Sequence, residues 1–355
     1  MHQVSFPKSR IQNPQGFTLV ELMVAMVLAG MVVAAAFHIQ STYQRALHRQ
    51  DQITRMQQTL QVTKRMMARV IRGAGGGLSA NISTVCGGLH KVGPFVLHNR
   101  NSFGATDTTN GGQDTDPDWF EVMGVDQNRS ATTSRSFPVT SQEKPTNESW
   151  KFRPGDLFVV QNDHGGCLLA VSKITNKFIQ HRSTGTQLAR CFNQGASMQW
   201  CRNNLGTNTL PAGTRLLNLG GATAAFRIDD SDPKRPLLMM ASGAAGGDPN
   251  QYNWQPVAEG VEDMQIAVQL DTSDPPDALG DQWVNSRDLT AAETARVRAV
   301  RLTLVVRSTS EIPGWRQGRR PGYEDRPAAA TRDGYTRRVV STVIKVRNVP
   351  LEVTP

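Results

Sequence analysis

Glu21 is the one carboxylate in the apolar run 17–37, where Thr18 is the only other polar side chain. A charge this deep in an apolar segment is costly, so it marks a functional position by default. It is poorly placed for acid–base catalysis, because a carboxylate inside a membrane or helix bundle has no access to a soluble substrate. The seven histidines offer no second catalyst. His2 lies near the start, His38 and His48 fall on a helical stretch, and His90, His98, His164 and His181 scatter among loop and strand-edge signals. There is no G-x-S-x-G elbow, no H-E-x-x-H pair and no nucleotide-binding glycine fingerprint. The chain reads as a non-enzyme.

Three other clusters could carry chemistry. Asp114, Asp116 and Asp118 alternate as calcium ligands do. An EF-hand loop opening at Asp114 would need glycine and a bidentate acid where this chain has Trp119 and Val125, so a solvated acidic loop is expected, without metal or cofactor. Cys86, Cys167, Cys191 and Cys201 show no C-x-x-C spacing, which argues against zinc or thiol exchange and for disulfide staples. Of the three possible pairings, Cys191–Cys201 closes a short loop and is favoured, leaving Cys86–Cys167. Arg316, Arg319, Arg320 and Arg326 form a basic cluster within a formal charge of +9. Such a patch could meet nucleic acid, but a solvated surface is the plainer reading, and nucleic-acid binding is not expected.

The elements that must position these residues follow from periodicity. The run 17–37 would span about 30 Å as a helix, the thickness of a bilayer core. Lys8 and Arg10 precede it and no further Lys or Arg appears until Arg45, which favours a cytoplasmic amino terminus and places the bulk of the chain outside the cytoplasm. The apolar stripe then continues through Ile39, Tyr43, Leu47, Ile53, Met56, Leu60, Met67 and Ile71 against a polar face. The glycine-rich stretch 73–77 stops it, giving one helix of about 55 residues, near 80 Å long. It lacks the spacing of a phosphate loop.

Beyond the helix the signals are those of antiparallel strands. Asp156–Val160 and Cys167–Ile174 read as a hairpin, and Phe226–Ile228 with Leu237–Met240 as another pair. Stretches 98–118 and 126–149 are polar and read as exposed loop, as does the basic segment 311–337. Met264, Ile266, Val268 and Leu270 alternate with polar or small residues, Val300, Leu302, Leu304 and Val306 do the same, and Val339–Val346 makes a third strand. Thr290-Ala291-Ala292-Glu293 is a capping-box pattern that opens a short helix.

Gly16-Phe17-Thr18-Leu19-Val20-Glu21 resembles the processing site of type IV prepilins and type II secretion pseudopilins. The blocks 257–266, 300–308 and 338–348 resemble those of PilW-type minor pilins, a version of the first being shared with the secretion pseudopilin J. The resemblance implies an α+β, type IV pilin-like fold: a long N-terminal α-helix packed on an antiparallel β-rich globular head. It implies a leader at 1–16, a helix at 17–72 (17–37 transmembrane or filament core, 38–72 amphipathic) and a periplasmic head at 78–355. A prepilin peptidase would cut between Gly16 and Phe17, Phe17 would be N-methylated, and Glu21 would meet a neighbour's N-terminus during assembly. The implied role is a minor pilin that primes pilus assembly in an initiation or tip complex. Its partners would be other minor pilins, the major pilin, the inner-membrane assembly platform and a tip adhesin. A J-like secretion pseudopilin and a DNA-uptake minor pilin are the alternatives.

Overall fold

The computed structural model describes residues 18–78, 84–86, 90–99, 116–183, 193, 201–219, 223–243, 252–273, 277, 279–285, 287–312 and 314–346. Two compact units divide the chain, Met1–Asp51 and Gln52–Pro355. One helix, Leu19–Arg72, contributes to both. Its part in the first unit includes a stretch long and apolar enough to cross a membrane, and its large apolar side chains are exposed.

In the second unit the helix has an inward face made by steps of three and four residues: Gln52, Met56, Leu60, Thr63, Met67 and Ile71 are buried. Burying a Met, Leu or Ile side chain contributes about 1.5–3 kcal/mol each. The expected amphipathic half, 38–72, therefore splits. Ile39, Tyr43 and Leu47 continue the apolar stripe but stay exposed, and packing starts at Gln52. The Gln52 amide oxygen accepts from the Thr309 amide and hydroxyl, and its nitrogen donates to the Ser310 hydroxyl. After Arg72 the chain turns: Gly75 donates to the Met123 carbonyl, and Gly77 sits at φ +78° with a Cβ position only 3.2 Å from the Val125 side chain. The left-handed backbone at Gly77 favours glycine.

The helix packs on two antiparallel sheets. One has five strands in the order Gln255–Glu259, Leu237–Ser242, Ala224–Asp229, Trp119–Val122 and Phe95–His98. The other has four, Gln282–Val284, Val261–Leu270, Val297–Arg307 and Arg337–Lys345. The alternation legible in the sequence decides the inner face: Met264, Ile266, Val268, Leu270, Val300, Leu302, Leu304 and Val306 join Phe95, Phe120, Phe226, Met56, Leu60, Met67 and Ile71 in one core. Thr290 and Glu293 close both bonds of a capping box ahead of the short helix Ala291–Thr294.

A second four-stranded sheet is ordered Asp126–Thr132, Arg215–Asn218, Leu157–Gln161 and Gly166–Ala170, and its last two strands are buried on both faces. Leu157, Val159, Leu168 and Ala170 face one apolar cluster, while Phe158, Val160, Cys167 and Leu169 face another. Two covered faces explain its unbroken apolar runs. Stretch 126–149, expected as exposed loop, contains the strands Asp126–Thr132, Phe137–Pro138 and Glu143–Pro145. The protein is thus α+β, with a long N-terminal helix and an antiparallel β-rich head.

Candidate functional site

Gly16 and Phe17 lie outside the described residues; Thr18 and Glu21 lie within them. The Glu21 Oε2 accepts from the Thr18 amide and hydroxyl, both at 2.9 Å, while the Glu21 amide donates back to the Thr18 Oγ1 at 3.3 Å. This is a reciprocal capping box at the head of the apolar helix. It ties down one carboxylate oxygen, and the other has no partner among the described residues. The T-x-x-E spacing, the same rule that identifies Thr290–Glu293, was available in the sequence to find it.

The other candidate clusters disperse. Asp114 lies outside the described residues. Asp118 is buried rather than solvated, and its carboxylate accepts the Ile266 amide at 2.6 Å. Asp116 is half-buried, with its backbone carbonyl accepting from the Gln265 side-chain Nε2. An acidic loop adjoining a strand has backbone donors to satisfy, and Asp118 serves one of them. Among the described residues no cluster of His, Cys, Asp or Glu could hold a metal ion.

The disulfide pattern needs correction. Cys167 pairs with Cys201, Cα atoms 4.9 Å apart, which excludes both Cys191–Cys201 and Cys86–Cys167. Cys167 lies on the strand Gly166–Ala170, and the helical turn 201–205 sits against it, Cys167, Cys201 and Leu205 sharing one apolar cluster. Nearness in the fold, not in sequence, selects the partner. Cys191 lies outside the described residues, and of Cys86 only its place in the strand Thr84–Cys86 is described.

Half of the arginine cluster is taken up by the fold. Arg320 and Arg326 each donate to one oxygen of Asp263, at 3.0 and 2.6 Å, and Asp263 is fully buried. Arg319 donates to the Ala329 carbonyl, and Arg316 is exposed. Segment 311–337 is thus laid on the outer face of the C-terminal sheet by ion pairs. Arg337 adds bonds to Glu262 and Asp333, and Arg301 a bidentate pair with Glu324.

Two of the histidines make defined contacts in the head. His98 stacks on Trp119 and lies 3.4 Å from Glu121. His181 is buried against the Ser141 carbonyl, and burial pushes its pKa down to about 3, so it is neutral near neutrality. Beside it lies a group that sequence reasoning missed. Lys144 is 1 % exposed, donates to the carbonyls of Val139 and Ser141 at 3.0 and 2.8 Å, and sits over the Phe137 ring. Desolvation pushes its pKa down to about 7.

Residues 225–348 match the family model described as type IV pilus-assembly protein W, and residues 11–37 match the prokaryotic N-terminal methylation motif. No curated protein matches the chain. Among solved structures, a type IV-like pilin from Thermus thermophilus aligns at 12 % identity and a TM-score of 0.35, over 83 % of this chain and 97 % of its own. The matched blocks coincide with the apolar helix headed by Glu21 and with the sheet strands 261–270, 297–307 and 337–345, and on them the chain is a type IV pilin-like minor pilin of the PilW family.

Proposed function

We propose that this minor pilin is held in the inner membrane by its N-terminal helix, processed between Gly16 and Phe17, and recruited into a small complex that primes pilus assembly and stays at the tip. The observation that carries this reading is the exposed apolar stretch of the helix, headed by Glu21 with one carboxylate oxygen unpartnered among the described residues. In a low-dielectric bundle that oxygen and the cationic N-terminus of a neighbouring subunit have poor alternatives to each other. The capping box orients the carboxylate beforehand, so it needs little reorganisation on meeting that cation. A few copies at a tip suit a chain of 355 residues better than dense repetition in a shaft. The role is non-catalytic, with other minor pilins, the major pilin, the assembly platform and a tip adhesin as partners.

A deletion strain complemented with wild type or Glu21→Ala tests this, with surface pili and exported proteins both measured. Pili lost, secretion normal and rescue by wild type alone support priming. Normal pili with failed secretion would move the chain to a J-like place in a secretion pseudopilus. A DNA-receptor role draws less support, since Arg320 and Arg326 are spent on Asp263.

A further inference from the structure

An exposed sheet edge offers unpaired N–H and C=O groups to any strand that approaches, and folded proteins normally blunt it. Most long edges here are blunted. Gln255–Glu259 carries Pro256 and a register shift. Asp126–Thr132 has a register shift, and its Ser130 carbonyl is taken by the Lys151 ammonium. On Gly166–Ala170, the Asn193 side chain holds both the amide and the carbonyl of Ala170. Phe95–His98 and Gln282–Val284 are edges of only 4 and 3 residues.

Arg337–Lys345 is different. It has 9 residues, contains no proline, and pairs with Val297–Arg307 in unbroken register from Ala299↔Lys345 to Arg307↔Arg337. Ser308 donates to the Thr336 carbonyl and Val346 to the Arg298 carbonyl, so residues of even number point their backbone groups into the sheet. The amides and carbonyls of Arg337, Val339, Ser341, Val343 and Lys345 therefore point outward. No backbone or side-chain group bonds to them among the described residues. The same side chains make the outer face of the strand, where Ser341 and Lys345 are exposed and Val343 is 55 % exposed.

We propose that this edge receives an extended strand from a different protein chain, alternately apolar and with carboxylates at its ends. Charge chooses the occupant. The strand has no acid of its own; Arg337 is taken up by Glu262 and Asp333, which leaves Arg338 and Lys345 exposed near its two ends. A second copy would bring the same uncompensated cations, Arg338 and Lys345, along the shared edge with no acid of the strand to meet them, and like charges brought together destabilise a strand pair. Carboxylates at the ends of a foreign strand would meet those cations instead, and its apolar residues would cover Val339 and Val343.

The test uses the full chain in detergent micelles and a synthetic strand peptide of 9 residues, alternating valine and threonine with glutamate at each end. The reading expects amide exchange at Val339, Ser341 and Val343 to slow about tenfold or more on adding peptide, while Val340 and Thr342, already bonded within the sheet, change little. Val343→Pro removes one outward donor without touching the sheet's own bonds, and Val343→Asp adds a repelling charge at an exposed position. Each should weaken binding about tenfold, or about 1.4 kcal/mol, at unchanged melting temperature. Uniform exchange, or equal affinity for a lysine-ended peptide, would overturn the proposal. Protection of the same amides without peptide, together with dimers in sedimentation, would show that a second copy is the occupant and overturn it as well.

Discussion

Lys144→Met should stabilise the head near neutral pH, and the gain should vanish as pH rises. Lys144 is buried, and its surroundings lower its pKa from 10.5 to about 7. At about 1.36 kcal/mol per pKa unit, carrying the charge costs the folded state about 5 kcal/mol relative to a neutral amine. Because the folded pKa lies below the unfolded one, the unfolded chain binds more protons between pH 7 and 10.5. Stability therefore rises with pH across that window, and below pH 7 the penalty is fully present. Methionine fills a similar volume but forfeits the bonds to the Val139 and Ser141 carbonyls, worth about 1 kcal/mol each. The net gain at pH 6 is about 3 kcal/mol, or about 5–10 °C in melting temperature for a domain of this size. By about pH 9 the penalty has shrunk to about 2 kcal/mol, the two effects cancel, and the curves should cross. Thermal unfolding of the two proteins side by side from pH 6 to 9 reads this directly. A difference independent of pH, or a variant less stable at pH 6, would refute the assignment of a desolvated cation.

Mass spectrometry of membrane-extracted protein should find a chain beginning at N-methylated Phe17; an intact Met1 or cleavage after Ala36 would reject the prepilin segment. Non-reducing peptide mapping should join Cys167 to Cys201, so a second bridge can only be Cys86–Cys191, and recovery of Cys191–Cys201 would contradict the fold around the 201–205 turn. Cys167→Ala with Cys201→Ala, opening a loop of 34 residues, should lower stability by about 4 kcal/mol on chain-entropy grounds, measured by denaturant unfolding. Asp263→Asn leaves two arginines facing a neutral amide on a buried face and should cost about 3–5 kcal/mol; a loss under about 1 kcal/mol would mean those ion pairs do not form.

Legibility in the sequence followed how local the physics was. The helix and the strands 261–270 and 297–307 each bury one face, so the period of their apolar residues carried the answer. The Asp126–Thr132 strand failed that test. Six of its seven side chains are polar or charged and the single buried residue is Ala131, so its membership in a sheet rests on cross-strand bonds to Arg215–Asn218. The Cys167–Cys201 pair failed for a related reason. Its 34-residue separation is bridged by a turn docking on a strand, and loop length says nothing about docking. At Glu21 the Thr18 cap needs only the T-x-x-E spacing, a weaker signal in the sequence than a lone charge in an apolar run.

Charge was the least legible property, and its correction changes where a partner should be sought. Segment 311–337 is rich in arginine and looks like a patch for an anionic ligand, yet a sequence cannot show that the acids of a distant strand lie beneath it. Asp263 receives Arg320 and Arg326, Glu262 receives Arg307 and Arg337, and Glu324 receives Arg301, each pair half-buried or deeper. Cations so engaged act as counter-ions of the fold and have little field to spare for a ligand. Arg338 and Lys345 remain exposed near the two ends of the C-terminal edge strand, with no acid among its own residues. A positive charge near each end of an open ladder, with exposed valine and serine between, describes a slot for an acidic-ended strand better than a surface for a polyanion. A duplex reads charge along its whole length, whereas this edge presents it only near its ends.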